Sequence, residues 1–178
     1  ETSPVDATQN PEQTPSQNQP ITYTDDKDVV YLTFDSGPSE YTEKLLEILD
    51  RKNVKATFFI TPDESQECAD LMNKIVEAGH AIGVNSYSED YGVVYADVES
   101  FVNDFNTAKE LILDATGIDC KIFRFLGGSV NDLNAEVRDD IIKRMTSDGY
   151  VYFDWNVDSG DWLGANYTTM YNNVLANV

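Results

Sequence analysis

The sequence predicts an α/β fold organised on a parallel sheet, and three observations carry the prediction. Apolar runs rich in strand-forming residues alternate strictly with amphipathic helical segments, five of each between Val29 and Val178. The helical segments close at Asn53, Gly79, Gly117 and Gly149, and glycine caps a helix end readily. The polar, acidic or glycine-rich stretches follow strands. Strict β-then-α alternation calls for right-handed crossovers between parallel strands. If the sheet curls into a barrel, the loops after the strands gather at one mouth.

Val29 to Pro38, VVYLTFDSGP, opens the series. Its apolar run predicts a strand buried on both faces that delivers Asp35 to a tight turn of Ser36, Gly37 and Pro38. Ligands of parallel α/β folds bind at the carboxyl ends of strands, so Asp35 is the first candidate for chemistry. Taken alone, it is equally well a turn residue bonded to its own backbone. Ser39 is placed to cap a helix through Leu45, Leu46, Ile48 and Leu49. Lys55 to Ile60 reads as a second buried strand stopped by Thr61-Pro62. A helix carrying Cys68, Leu71, Met72, Ile75 and Val76 follows, then a short strand, Ala81 to Val84.

Asn85 to Tyr95, NSYSEDYGVVY, is a polar and aromatic loop longer than the other connections, and such loops tend to carry function. Val98, Phe101, Phe105, Ala108, Leu111, Ile112 and Ala115 mark a long amphipathic helix. Lys121 to Phe125 is the fourth strand, ending in Leu126-Gly127-Gly128-Ser129. A helix through Val137, Ile141, Ile142 and Met145 leads to a fifth strand, Tyr150 to Val157, and Thr168 to Asn177 starts a fifth helix.

The first 28 residues differ in kind. Glu1 to Pro20 holds four of the six prolines with many Gln, Thr and Ser, and it lacks the apolar surface to offset ordering. Residues 1–28 read as a linker and residues 29–178 as one domain. A Pro/Thr/Gln tether is expected between a signal or membrane segment and a domain outside the cell, so the protein reads as secreted or surface-tethered, with any anchor upstream of residue 1. A net charge of -20, from 32 acids against 12 bases, excludes nucleic acid and anionic membrane as favoured partners. Cys68 and Cys120 permit one disulfide or two buried thiols.

Arg124 is a lone guanidinium inside an apolar strand. A buried charge needs a partner, and Asp35, Asp158 and Asp161 are the candidates. Pairing with Asp35 would hold that acid ionised as a base. Asp158, Asp161 and Trp162 at the end of the fifth strand suit a sugar, because carboxylates accept hydroxyl protons and an indole stacks on a pyranose face. Glu89 and Asp90 with Tyr87, Tyr91 and Tyr95 repeat that combination on the third loop. His80, the single histidine, reads as a structural helix-end residue, so neither a two-histidine metal site nor a Ser-His-Asp triad is expected.

From about Val29 onward the chain resembles the polysaccharide deacetylase (NodB-homology) family. TFDSGP stands where that family has T-F-D-D-G-P, and EAGHAIGVNSYSED where it has G-H-E-I-G-N-H-S-x-x-H. FRFLGGS matches F-R-P/F-P-x-G, and DWNVDSGDW contains the D-x-x-D-W motif. The resemblance implies a distorted (β/α)7-type barrel, here lacking its last strand and helix, and metal-dependent removal of acetyl groups from chitin-like or peptidoglycan glycans. It makes Asp35 the catalytic base, Arg124 the residue that tunes it, and Gly127 the source of an oxyanion-binding N–H. Asp158 or Asp161 becomes the acid that orients a histidine of a last motif, which the sequence does not reach.

The family's three protein metal ligands, an aspartate and two histidines, fall on Ser36, Asn85 and Glu89. Catalytic zinc takes three good ligands and an open position. Glu89 is a weak candidate ligand and the other two are neutral, so no tightly bound cofactor is expected. These residues predict a weakened or inactive deacetylase-like domain that binds acetylated polysaccharide or peptidoglycan through Tyr87, Tyr91, Gly127 and Trp162. The alternative is an active N- or O-deacetylase using zinc or another divalent metal on an altered site. A third reading, a metal-free glycosidase, would need Asp35 and Glu89 roughly 5–10 Å apart.

Overall fold

The structure is a computed structural model that describes residues 29–178; the linker expected over residues 1–28 lies outside the described residues. Five parallel strands pair in chain order: β1 (Thr33–Gly37), β2 (Thr57–Ile60), β3 (Ala81–Val84), β4 (Ile122–Phe123) and β5 (Val151–Tyr152). Between and after them run α1 (Thr42–Lys52), α2 (Gln66–Glu77), the single-turn α3 (Tyr91–Val94), α4 (Val98–Thr116), α5 (Arg138–Ser147) and α6 (Tyr167–Asn177). A strand order that never reverses, with α1 against α2, α2 against α4 and α4 against α5, is the winding of a barrel wall.

Pleating divides the strands into two faces. Phe34, Phe58, Ile60, Ile82, Val84 and Phe123 face the helices. There Phe123 meets Phe101 and Phe105 of α4 edge-on, with ring centroids 5.8 and 5.7 Å apart. The register, Asp35 with Phe59, Phe59 with Gly83 and Val84 with Phe123, puts Asp35, Phe59, Gly83, Asn85 and Arg124 on the other face. In a flat sheet β1 and β4 would lie about 14 Å apart, at about 4.8 Å per strand. Yet Arg124 Nη1 on β4 is 2.7 Å from Asp35 Oδ1 on β1, so the sheet is rolled around this inner face.

Gly83 is required by that rolling. A Cβ there would stand 2.8 Å from Ile122 Cγ1 and 2.9 Å from its carbonyl oxygen. Gly83→Ala is expected to lower stability by about 1–3 kcal/mol through overpacking, read as a lower thermal midpoint.

Several local expectations are corrected. The first strand begins at Thr33, and Val29 to Leu32 are exposed. It is an edge strand, and an apolar run cannot by itself tell one buried face from two. Ser39 does not cap α1: its Oγ accepts the Tyr41 N–H at 3.3 Å, and Tyr41 occupies the cap position. The strands foreseen at Lys121–Phe125 and Tyr150–Val157 shorten to two residues each, with single backbone bonds continuing beyond them, Arg124 N–H to the Val84 carbonyl and Phe153 N–H to the Phe123 carbonyl, both at 2.9 Å. By contrast Ala81–Val84 is the strand foreseen, and the long helix closes at Gly117. Both cysteines are buried free thiols, and burial pushes the Cys120 thiol up to about 12.

Candidate functional site

Asp35 and Ser36 reach the mouth through a β-bulge. The β1–β2 register skips one residue between Asp35 and Gly37, and the extra residue, Ser36, has φ +58°. Bulges of this kind turn a strand end away from its ladder and re-aim its side chains. Asp35 is left 32% exposed against a guanidinium that is 2% exposed.

Arg124 ties the two edge strands of the described sheet together. Nη1 donates to Thr33 Oγ1 at 2.8 Å and to Asp35 Oδ1 at 2.7 Å, Nε to the Phe153 carbonyl at 2.8 Å, and Nη2 to the Asp154 carbonyl at 3.1 Å. Its guanidinium carbon lies 4.3 Å from the centre of the Phe59 ring. Of the three acids proposed for it, Asp35 is the partner. The expected consequence for Asp35 is corrected: burial pushes its carboxyl above the usual value, outweighing the pull of Arg124, and the nearby Asp161 charge adds to the rise.

The third loop is built by a residue that sequence reasoning passed over. Asp104 of α4, 8% exposed, takes the Ser86 hydroxyl and the Tyr87 N–H on Oδ2 and the Ser88 N–H on Oδ1, each at 2.9 Å. Ser86 Oγ in turn accepts the Glu89 N–H at 3.1 Å, with Glu89 at φ +53°. Asp90 then caps α3, accepting the Gly92 N–H at 2.8 Å. Tyr91 is thereby laid against Gly127, where a Cβ would meet its hydroxyl at 2.6 Å. Only glycine fits that position, whose φ is +72°. Tyr95, grouped with the loop aromatics, is instead buried. Its hydroxyl donates to the Leu126 carbonyl at 2.8 Å, and burial raises its pKa.

At the end of β5 the acids divide their tasks in a way the motif did not reveal. Asp154, assigned no role from sequence, fastens the β4 loop: Oδ1 accepts the Ser129 N–H at 2.8 Å and Oδ2 the Ser129 hydroxyl. Asp158 accepts the Gly160 N–H at 2.8 Å and the Trp162 indole N–H at 3.1 Å, which holds a ring that is 73% exposed. Asp161 takes the Ser159 hydroxyl at 2.7 Å. His80 lies before β3, away from the strand ends. Its Nδ1 accepts the Ala56 N–H at 3.2 Å and burial depresses its pKa, the structural role expected of it.

Asn85 occupies the end of β3 on the inner face, 6% exposed, with an Oδ1 that finds no partner. The donor set of Ser36, Asn85 and Glu89 is a hydroxyl, an amide and one carboxylate, with no imidazole. Among the described residues no three His, Cys, Asp or Glu side chains converge closely enough to hold a metal ion. This set does not fit a catalytic zinc.

Comparison with known proteins agrees with the fold and with the family resemblance. The family profile described as polysaccharide deacetylase matches residues 22–144. A peptidoglycan-N-acetylglucosamine deacetylase of Bacillus cereus is 34% identical over 137 residues, covering 77% of this chain and 48% of its own. The chain spans about half the length of the curated relatives it matches. Among solved structures, the catalytic domain of the Eubacterium rectale peptidoglycan N-acetylglucosamine deacetylase superposes with a TM-score of 0.77 at 34% identity. That match covers 83% of this chain and 69% of the other. A Bacillus anthracis protein described as a pseudoenzyme of carbohydrate esterase family 4 gives 0.69 at 25% identity, covering 86% and 52%. The chain belongs to the polysaccharide deacetylase family.

Proposed function

We propose that this domain binds acetylated cell-wall glycan, peptidoglycan above all, through the mouth formed by Asp35, Tyr87, Tyr91, Gly127 and Trp162, and hydrolyses it weakly or not at all. The observation that carries the reading is a kept frame with altered ligands. Ser36 and Glu89 hold left-handed backbone conformations at two positions where the family places metal ligands, and Asn85 holds the third with an unpartnered amide. Strained backbone persists where surrounding structure dictates it, and such positions cluster at functional sites. Relatives that are peptidoglycan deacetylases supply the ligand class, and the pseudoenzyme relative is a precedent for the loss. The Pro/Thr/Gln-rich opening supports action outside the cell, on a tethered or secreted protein.

One observation favours the alternative of an active metal-dependent deacetylase: the Asp35–Arg124 pair is intact, although a buried charge pair is a weak device for stability alone. Incubation with N-acetylglucosamine oligosaccharides and peptidoglycan fragments, with and without added zinc, separates the readings. Saturable binding without acetate release is expected. Zinc-dependent acetate release that Asp35→Ala abolishes would establish the alternative, and absence of binding to every glycan would remove the glycan reading.

A further inference from the structure

Away from the mouth, at the opposite ends of β2 and β3, α1 and the close of α2 frame an open cavity of about 420 Å³. One wall is acidic. Glu47 and Asp50 lie about one turn apart on α1, and neither carboxylate has a hydrogen-bond or ion-pair partner among the described residues. Glu43, the third acid of that wall, is neutralised by Lys74 of α2, and the pair joins the two helices beside the cavity.

The other wall carries donors. Lys55, just before β2, gives one ammonium N–H to the Ala78 carbonyl at 2.5 Å at the end of α2, which leaves it two. His80, just before β3, is 4% exposed, and its ring is held in one tautomer: Nδ1 accepts the Ala56 N–H at 3.2 Å, so in the neutral imidazole the proton sits on Nε2. Burial, with the Lys55 charge beside it, holds the pKa of the ring below its usual value and so favours that neutral form. The Nε2–H has no partner among the described residues, yet it is not one of the polar atoms sealed from solvent. Polar groups on so closely packed a ring are normally paired, and this one is left open at the cavity that His80 lines.

A metal ion would need the Nε2 lone pair, which the tautomer denies it. A plain anion meets Glu47 and Asp50, and a plain cation meets Lys55 and the imidazole N–H. From the free donor of His80 and the unpaired carboxylates across the same cavity we infer that it binds a small amino-carboxylate zwitterion. Its carboxylate takes the His80 Nε2–H and the Lys55 ammonium, and its ammonium lies against Glu47 and Asp50. The four-residue strands β2 and β3 set this cavity roughly 13 Å from the mouth, so the inference stands apart from the glycan reading.

His80 is the single histidine, so its imidazole gives one set of NMR signals. Titration near neutral pH with glycine, β-alanine and γ-aminobutyrate, with acetate and methylamine as one-ended controls, tests the inference. At least one zwitterion is expected to shift the Nε2 resonance saturably with a Kd of about 0.1–1 mM, the affinity of a few charge-assisted contacts, and to bind about tenfold more tightly than either control. Glu47→Gln with Asp50→Asn is expected to weaken it roughly fivefold or more. Glu110→Gln with Asp114→Asn on α4 removes the same charge elsewhere and is expected to leave it unchanged. No saturable shift with any of the three up to about 50 mM, equal affinity for a control, or equal losses from the two substituted pairs would overturn the inference. Glycan binding at the mouth is measured separately and is untouched by either result.

Discussion

Replacing Ser36 by Asp, Asn85 by His and Glu89 by His together is expected to give a chain that binds one zinc with a Kd at or below about 1 μM, roughly 8 kcal/mol, where the parent takes up none stoichiometrically. The expectation follows from backbone geometry. Residues 36 and 89 have φ of +58° and +53°, and Asp and His are enriched among non-glycine residues in that region. Neither replacement therefore adds strain to what Ser and Glu already bear. At position 85 an imidazole replaces an amide whose oxygen is walled in without a partner. Metal analysis after dialysis, with calorimetry, reads the result. A triple variant that folds but takes up no zinc would mean that the frame has drifted along with the ligands.

Arg124→Met is expected to destabilise the fold by about 3–5 kcal/mol, the loss typical when one partner of a buried ion pair is removed. The guanidinium serves two segments at once, so its removal leaves Asp35 without its counter-charge and the Phe153 and Asp154 carbonyls without their donor. The loss should depend on pH. The folded-state pKa of Asp35 is raised above its unfolded value. The stability this group contributes is therefore present below the unfolded pKa and lost as pH rises through the folded one. Without Arg124 burial acts unopposed, so the deficit should be larger at neutral pH than in acid, where a protonated Asp35 needs no cation. Urea denaturation at both pH values measures it. An equal deficit at both would mean that Arg124 acts through its carbonyl contacts alone.

Periodicity carried the fold. The alternation of apolar runs with amphipathic segments foretold the parallel order of β1 to β5, but the turn expected at Ser36, Gly37 and Pro38 began too early, because β1 runs on through the bulge at Ser36 to Gly37. Periodicity could not measure burial across the sheet: Val29 to Leu32 are as apolar as a central strand yet lie exposed before β1. At the site, the lone charge of Arg124 in an apolar strand announced a partner, and Asp35 is that partner. Acids crowded in one segment were less legible. Asp154, Asp158 and Asp161 look alike in sequence, and only their distances show that Asp154 grips Ser129 while Asp158 holds an indole. Asp104 was invisible for another reason. It lies on a helix whose apolar spacing drew the attention, and its partners, Ser86 to Ser88, are 16 to 18 residues away along the chain. A polar residue buried on the core face of an amphipathic helix is the signal that could have found it.

Those same contacts explain how the mouth can keep its shape whichever side chains stand at residues 36, 85 and 89. Asp104 fixes the loop carrying Glu89, Asp154 fixes the loop carrying Gly127, and Arg124 fixes the edges that carry Asp35 and Asp154. None of these contacts depends on residue 36, 85 or 89 having a metal-binding side chain, so the frame tolerates change at those three positions.

Calorimetric titration of zinc into metal-stripped wild-type protein, with Asp35→Ala alongside, tests the central claim most directly. No stoichiometric uptake by either chain is predicted, because a hydroxyl, an amide and one carboxylate make a poor zinc site. Near-stoichiometric binding that Asp35→Ala abolishes would contradict the account and mark this mouth as a working metal centre.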